Sequence, residues 1–198
     1  MGRKHNVKNA LAQSFTELIQ EEPFEKITIK MITDRAGVIR PTFYNHFFDK
    51  YELLEWICYR DVFAEVTALV DRGLYKEAVA EVFINVEENR EFFIKAAKVE
   101  GQNGFEEIFT RLSADLFEYV IDESELADAA DNKILTPREI AKYYGQSLTY
   151  IIETWLTKGS SVHADQMTKI YYILATCTME DLLAKGKDAI KDKGILNI

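Results

Sequence analysis

The chain has 198 residues, 47% of them hydrophobic, and a formal net charge of −9. Its length allows one domain or two small ones, and its low proline and glycine content favours an ordered globular protein. The acidic balance argues against a protein that coats nucleic acid without selectivity. No apolar run is long enough for a membrane span, no secretory signal is visible, and Cys58 and Cys177 are isolated. We therefore expect a cytoplasmic protein with reduced thiols.

The charge is unevenly distributed along the chain. Residues 1–50 hold eight Lys and Arg against six Asp and Glu, whereas the remainder holds sixteen against twenty-seven. A slightly basic first segment on an acidic body is compatible with local contact to phosphate groups. The basic run at residues 2–5 is either an arm that contacts DNA or a solvated terminus, and the sequence leaves both open.

Apolar residues recur at helical spacing and strand signals are scarce, so we predict an all-α fold of about nine helices. The first helix covers residues 7–20 and ends before Pro23. The second begins at Thr28 and is ended by Gly37, and the third carries Pro41 in its first turn and ends near His46.

A capping box at Asp49 predicts a fourth, long helix to about Asp71, stopped by Gly73. Polar residues 122–133 are predicted to form a surface loop, and Thr136 caps the helix that follows. The remaining helices are predicted over residues 75–88, 90–99, 103–121, 136–158 and 162–185. We divide the chain into a DNA-binding domain, residues 1–50, and an effector-binding and dimerisation domain, residues 51–198.

Residues 28–54 have the layout of a helix-turn-helix, whose second helix enters the major groove of DNA. Donor-rich side chains are predicted on the outer face of that helix: Arg40, Thr42, Asn45 and His46. Such groups suit base edges and phosphates. Taken singly, Tyr44 could be a core aromatic and Lys50 a surface charge, but their joint placement on one motif favours DNA binding.

This segment resembles the TetR/AcrR family of bacterial transcription regulators, whose pattern it follows without a gap over about 25 residues. The positions that match are Thr28, Ile32, Ala36, Gly37, Val38, Thr42, Tyr44, Phe47, Lys50, Glu52 and Leu53. The positions that depart are Thr33, Ile39, Pro41, Phe43, His46 and Phe48. Ile39 replaces the usual serine cap, and we hypothesise that amide groups left uncapped near Pro41 and Thr42 face a DNA phosphate.

The resemblance implies two sets of DNA contacts. Phosphates are expected at Thr28, Tyr44 and Lys50. The groove is expected to receive Arg40, Pro41, Thr42, Asn45 and His46.

The body resembles a TetR subgroup related to the dihydroxyacetone-kinase regulator, at residues 92–105 and 152–159. This implies a helical effector domain and a homodimer formed through the last two long helices. Broad apolar stripes over residues 140–156 and 167–182 independently favour a four-helix interface between two subunits. The alternative is that both helices only contribute to the core.

Aromatic residues on the body helices suggest a pocket for a small-molecule effector of unknown identity. The candidate ligand contacts are Trp56, Tyr59, Phe105 and Trp155. The alternative is that these side chains only fill the core.

The sequence offers no catalytic motif. Three dispersed histidines and two isolated cysteines make no metal site, and no phosphate-binding glycine loop or nucleophile elbow is present. We predict no enzyme activity, no cofactor and no metal.

The predicted function is a homodimeric transcription repressor that a small molecule releases from double-stranded operator DNA. One alternative is a coactivator that acts on DNA with a partner protein and senses no ligand. Another is an enzyme or carrier that uses the aromatic cavity.

Overall fold

The computed structural model describes residues 2–122, 135–158 and 161–184. Within these ranges every regular element is helical, which confirms the predicted all-α class. The α-helices are α1 Gly2–Glu21, α2 Ile29–Arg35, α3 Arg40–Tyr44, α4 Lys50–Cys58, α5 Ala64–Val70, α6 Tyr75–Glu88, α7 Arg90–Ala96, α8 Phe105–Asp122, α9 Pro137–Thr157, α10 Ala164–Thr176 and α11 Met179–Ala184.

Helix α1 is longer than predicted, because its backbone is already helical at Gly2. The basic run at residues 2–5 therefore belongs to a helix and is not a separate extended arm. Pro23 ends α1, since the residue before a proline is disfavoured in the helical region, and a short 3₁₀ turn, Phe24–Lys26, follows.

A continuous helical run links the first three helices to the body. Asp49 begins it, accepting hydrogen bonds from the amides of Tyr51 (2.8 Å) and Glu52 (2.9 Å), as the predicted cap requires. The run does not stay α-helical: a π-helical segment, Tyr59–Phe63, separates α4 from α5. Gly73, at φ +71°, lies in the turn after α5.

Helices α8 and α9 pack against each other along most of their length, and Gly145 permits this. A Cβ atom on Gly145 would lie 2.9 Å from both the amide nitrogen of Ala114 and the carbonyl oxygen of Thr110. Thr136 caps α9 by accepting a hydrogen bond from the amide of Glu139, as predicted.

The predicted last helix, residues 162–185, is wrong in one respect, because it is two helices. Cys177 has an extended backbone (φ −90°, ψ 133°) and ends α10. Thr178 and Asp181 then form a reciprocal cap that begins α11. The surface loop predicted over residues 122–133 lies outside the described residues except for Asp122, which is in α8.

One continuous apolar core runs through both halves of the chain. Phe15 of α1 joins them, with its ring 6.0 Å from Phe24 and 6.3 Å from Phe92 of α7. The first three helices thus pack directly on the body. None of the helices described here is long and apolar enough to cross a membrane.

Candidate nucleic-acid interface

The turn between α2 and α3 is fixed by local backbone contacts. Thr28 caps α2, its Oγ1 accepting from the amide of Met31 at 3.2 Å. Gly37 adopts φ +67°, a conformation that favours glycine. The amide of Val38 then donates to the carbonyl of Thr33 at 3.0 Å. These contacts set the angle at which α3 leaves α2.

Helix α3 is anchored by one buried face. Phe43 is fully buried, and its ring lies 5.7 Å from that of Phe47, which in turn lies 5.8 Å from Trp56 of α4. The opposite side of this short segment is exposed at Arg40, Pro41, Tyr44 and Asn45, and half-buried at Thr42 and His46. All six predicted α3 contacts are therefore brought together on one helical turn and its end.

Tyr44 and Arg40 form a pair on the exposed side of α3. The Tyr44 side chain is 50% exposed, and its phenol oxygen accepts a hydrogen bond from Arg40 Nη2 at 3.2 Å. The guanidinium also lies 5.8 Å from the Tyr44 ring centroid. Because the phenol accepts from arginine, its own O–H is left to donate, and a phosphate oxygen is a suitable acceptor.

Lys50 has a structural contact that the sequence did not predict. Its Nζ donates to the carbonyl oxygens of Phe24 (2.7 Å) and Ile27 (3.0 Å) and lies 4.2 Å from the Phe24 ring centroid. Burial lowers the pKa of Lys50, with Glu25 and Asp49 opposing the shift. Lys50 thus fastens α4 to the segment that leads into Thr28, and a phosphate contact there stays a prediction.

One amide of the anion site hypothesised near Pro41 and Thr42 is already bonded within the protein. Ile39 has no side-chain cap, as expected, but the amide of Thr42 donates to the carbonyl of Ile39 at 2.9 Å. Pro41 has no amide hydrogen to offer. Neither residue therefore offers a free amide to a phosphate, and an anion site at the other amides of this turn stays a prediction.

The four aromatic residues predicted to bind a ligand lie in different surroundings, and none of them lines the α8–α9 cleft described below. Trp56 packs between Phe47 and the guanidinium of Arg60, and Tyr59 lies exposed in the π-helical segment. Phe105 is buried against other phenylalanines, and Trp155 is buried with its Nε1 donating to the carbonyl of Val162 at 2.8 Å.

A cleft with a volume of about 880 Å³, the α8–α9 cleft, lies elsewhere, between the α7–α8 turn, α8 and α9. Its charged lining residues are Glu100, Glu106, Glu107, Arg111, Arg138, Glu139, Lys142 and Glu153. Burial raises the pKa of Glu153 to about 7, and Glu106 adds to the shift. The sequence did not predict this cleft, because it forms between helices whose mutual packing no local pattern records.

One cleft residue contacts the helix that directly follows the helix-turn-helix. Arg111 of α8 forms a two-pronged ion pair with Glu55 of α4, with N–O distances of 2.7 and 2.8 Å. The Arg111 guanidinium lowers the pKa of Glu55 in return. Helix α4 begins at Lys50, five residues after Asn45, so the ion pair joins the cleft to the helix that follows α3.

A helix-turn-helix with an exposed, donor-rich second helix, joined to an all-helical body, defines a DNA-binding regulator. Comparison with known proteins agrees. Residues 16–57 match the model of the bacterial regulatory proteins of the tetR family, and residues 75–177 match that of a transcriptional regulator C-terminal region. The chain belongs to the TetR family of transcription regulators, which are DNA-binding proteins and not enzymes.

Similar proteins include the HTH-type dhaKLM operon transcriptional activator DhaS of Lactococcus lactis subsp. lactis (strain IL1403). It is 24% identical over 152 residues, which cover 77% of this chain and 80% of DhaS. The structure of a dihydroxyacetone kinase operon activator DhaS superposes with a TM-score of 0.58 over 85% of this chain and 92% of that one, at 24% identity. NalD, the secondary repressor of the MexAB-OprM multidrug efflux pump in Pseudomonas aeruginosa, superposes with a TM-score of 0.59 over 85% and 93%, at 16% identity.

Proposed function

We propose that this regulator is a homodimeric repressor whose affinity for operator DNA falls when a small-molecule effector binds to the body. The observation that carries the proposal is the Arg111–Glu55 ion pair, because it joins the wall of the α8–α9 cleft to the helix that follows α3. A protein bound within a promoter excludes the polymerase from the same base pairs, and loss of binding then restores transcription.

The proposed operator contacts fall into two groups. Tyr44 is proposed to donate its phenolic O–H to a phosphate, and Thr28 and Lys50 to lie beside the backbone. The proposed groove contacts are Arg40, Pro41, Thr42, Asn45 and His46. Asn45, exposed at the end of α3, has the amide geometry that pairs with adenine.

The proposed dimer uses the exposed apolar side chains of α9 and α10. Tyr143 and Tyr150 are 67% and 69% exposed and seven residues apart, so they lie on one side of α9. Ile170 and Leu174 are exposed one turn apart on α10. Two such helices from each subunit would form a twofold four-helix interface, and two α3 helices would then reach successive half-sites.

The proposed effector acts by changing the relative populations of two packing arrangements of the body helices. A ligand in the cleft that favours a different position of Arg111 moves Glu55, and with it α4. The π-helical segment just beyond α4 gives this helical run a place to change register, since such segments are single-turn irregularities within α-helices. The distance between the two α3 helices of the dimer would change as a result.

Two arginines of the cleft test this coupling. Arg111→Gln is expected to change operator affinity although Arg111 is not on α3, because it breaks the link to α4. Arg138→Gln is the matched control, since Arg138 lines the same cleft but pairs with Asp115 and Glu118 of α8. Equal operator affinity of Arg111→Gln and wild type, measured by fluorescence anisotropy, would refute the coupling.

A second candidate is an activator that binds DNA with a partner protein and senses no ligand. The similarity to DhaS, an activator whose alignment covers 77% of this chain, favours activation of transcription over repression. Transcription in vitro from the protein's own upstream region distinguishes the two: repression predicts fewer transcripts as protein is added. A rise in transcripts only with an added cell fraction would support the activator.

A further inference from the structure

Ile39 is a large apolar side chain left outside the core at the beginning of α3. It is 70% exposed, whereas Ile32 and Phe43 on either side of the turn are fully buried. Its backbone is extended, and it provides no cap to α3. A single exposed apolar residue is common on protein surfaces, so its position must decide whether it has a function.

That position is the leading end of the helix that enters the major groove. In a helix-turn-helix, the N-terminal residues of the second helix contact base edges. Ile39 directly precedes α3, and its exposed neighbour Arg40 is the first residue of the helix. An exposed side chain here faces DNA when the protein binds.

The chemistry of isoleucine restricts what it can contact there. Its side chain has no hydrogen-bond donor or acceptor, and the backbone carbonyl of Ile39 already accepts from the amide of Thr42. The base edges in the major groove offer donors, acceptors and one apolar group, the 5-methyl group of thymine. Contact with that methyl group removes apolar surface of both partners from water.

We propose that Ile39 is a specificity-determining residue, which contacts the 5-methyl group of a thymine in each operator half-site. The inference rests on the proposed operator binding. Removing one buried methyl group weakens binding about fourfold. Removing the equivalent group from both half-sites of a dimer weakens it roughly fifteenfold.

The test removes the methyl group from the DNA and the side chain from the protein. The probe is the duplex that the full-length wild-type chain enriches from a randomised pool, with each symmetry-related pair of thymines replaced in turn by deoxyuridine. At one of these thymine pairs, the replacement is expected to lower the affinity of wild type about fifteenfold. The same replacement is expected to leave the affinity of Ile39→Ser unchanged. Ile84→Ser, at an exposed isoleucine of α6, is the control and keeps the wild-type loss.

Three results would overturn the inference. In the first, wild type binds every deoxyuridine duplex as tightly as the parent duplex. In the second, Ile39→Ser loses as much affinity as wild type when deoxyuridine replaces thymine. Either result refutes the thymine contact but leaves the proposed operator binding standing. Enrichment of no duplex by wild type would refute the proposed operator binding as well. Circular dichroism of Ile39→Ser establishes that the variant is folded, which its exposure leads us to expect.

Discussion

Lys50→Gln separates a structural role from a DNA-binding role at the same residue. Lys50 Nζ donates to the carbonyls of Phe24 (2.7 Å) and Ile27 (3.0 Å) and lies over the Phe24 ring. Glutamine is shorter and neutral, so it loses these two charge-assisted hydrogen bonds, a longer one to the carbonyl of Glu25 (3.4 Å) and the ring contact. The segment that leads into Thr28 would then be held only by its apolar side chains.

The expected cost is a loss of about 2 kcal/mol in the free energy of unfolding. Hydrogen bonds to a charged group contribute about 1.5–3 kcal/mol each. Lys50 is only partly buried, so water recovers part of that contribution when the ammonium is removed. For a chain of this length, such a loss lowers Tm by roughly 4–8 °C.

Urea unfolding at one fixed protein concentration measures this change in the free energy of unfolding, because the stability of the proposed dimer would depend on concentration. The midpoint is expected to fall without a change in the m-value. Lys30→Gln is the control. Among the described residues Lys30 forms an exposed pair with Asp34 alone, so its loss should change stability by less than about 0.5 kcal/mol. If Lys50→Gln were as stable as wild type, the carbonyl contacts would contribute nothing. Lys50 would then be assigned to a phosphate if Lys50→Gln reduced the slope of log affinity for the operator against log salt concentration by about 0.9 per half-site.

Two further changes test the packing and the charge of the α8–α9 pair. Gly145→Ala is expected to lower the free energy of unfolding, measured in urea, by about 1–2 kcal/mol. A Cβ atom at this position lies 2.9 Å from the amide nitrogen of Ala114 and forces the helices apart. This cost exceeds the gain from the better helix propensity of alanine. Gln146→Ala, one residue along, is the control, and a Gly145→Ala protein as stable as wild type would refute the close approach. Glu153→Gln is expected to raise Tm at pH 8 and not at pH 4. The pKa of Glu153 is raised from 4.5 to about 7 in the folded protein by burial and by Glu106, so stability falls as pH rises between these values and is level above them. After allowance for the exposure of Glu153, the gain at pH 8 is about 1 kcal/mol, and an equal Tm difference at both pH values would contradict it.

The helix-turn-helix could be predicted from sequence because its signals are local. The cap at Thr28, the left-handed glycine at 37 and the cap at Asp49 each act within a few residues, and the structure has all three. The break in the last helix was also local. The side chains of Thr178 and Asp181 cap α11, but the apolar spacing continues across the break and concealed it.

The rest of the site depends on contacts between residues distant in sequence. Lys50 reaches Phe24, 26 residues earlier, and Arg111 reaches Glu55, 56 residues earlier. Gly145 permits the close approach of α9 to α8, and Glu153 of α9 lies near enough to Glu106 of α8 for its pKa to be raised further. No periodicity records which helix faces which, so the sequence did not predict the charged cleft.

Binding of the purified chain to DNA from its own upstream region, against random DNA at several salt concentrations, tests the central claim most directly. The account predicts tight, sequence-selective binding that weakens steeply as salt is added. It also predicts weaker binding by Tyr44→Phe, which keeps the ring beside Phe43 and loses only the hydroxyl. Binding that neither prefers the upstream region nor responds to salt, or that Tyr44→Phe leaves unchanged, would contradict the assignment of α3 as the DNA-binding helix.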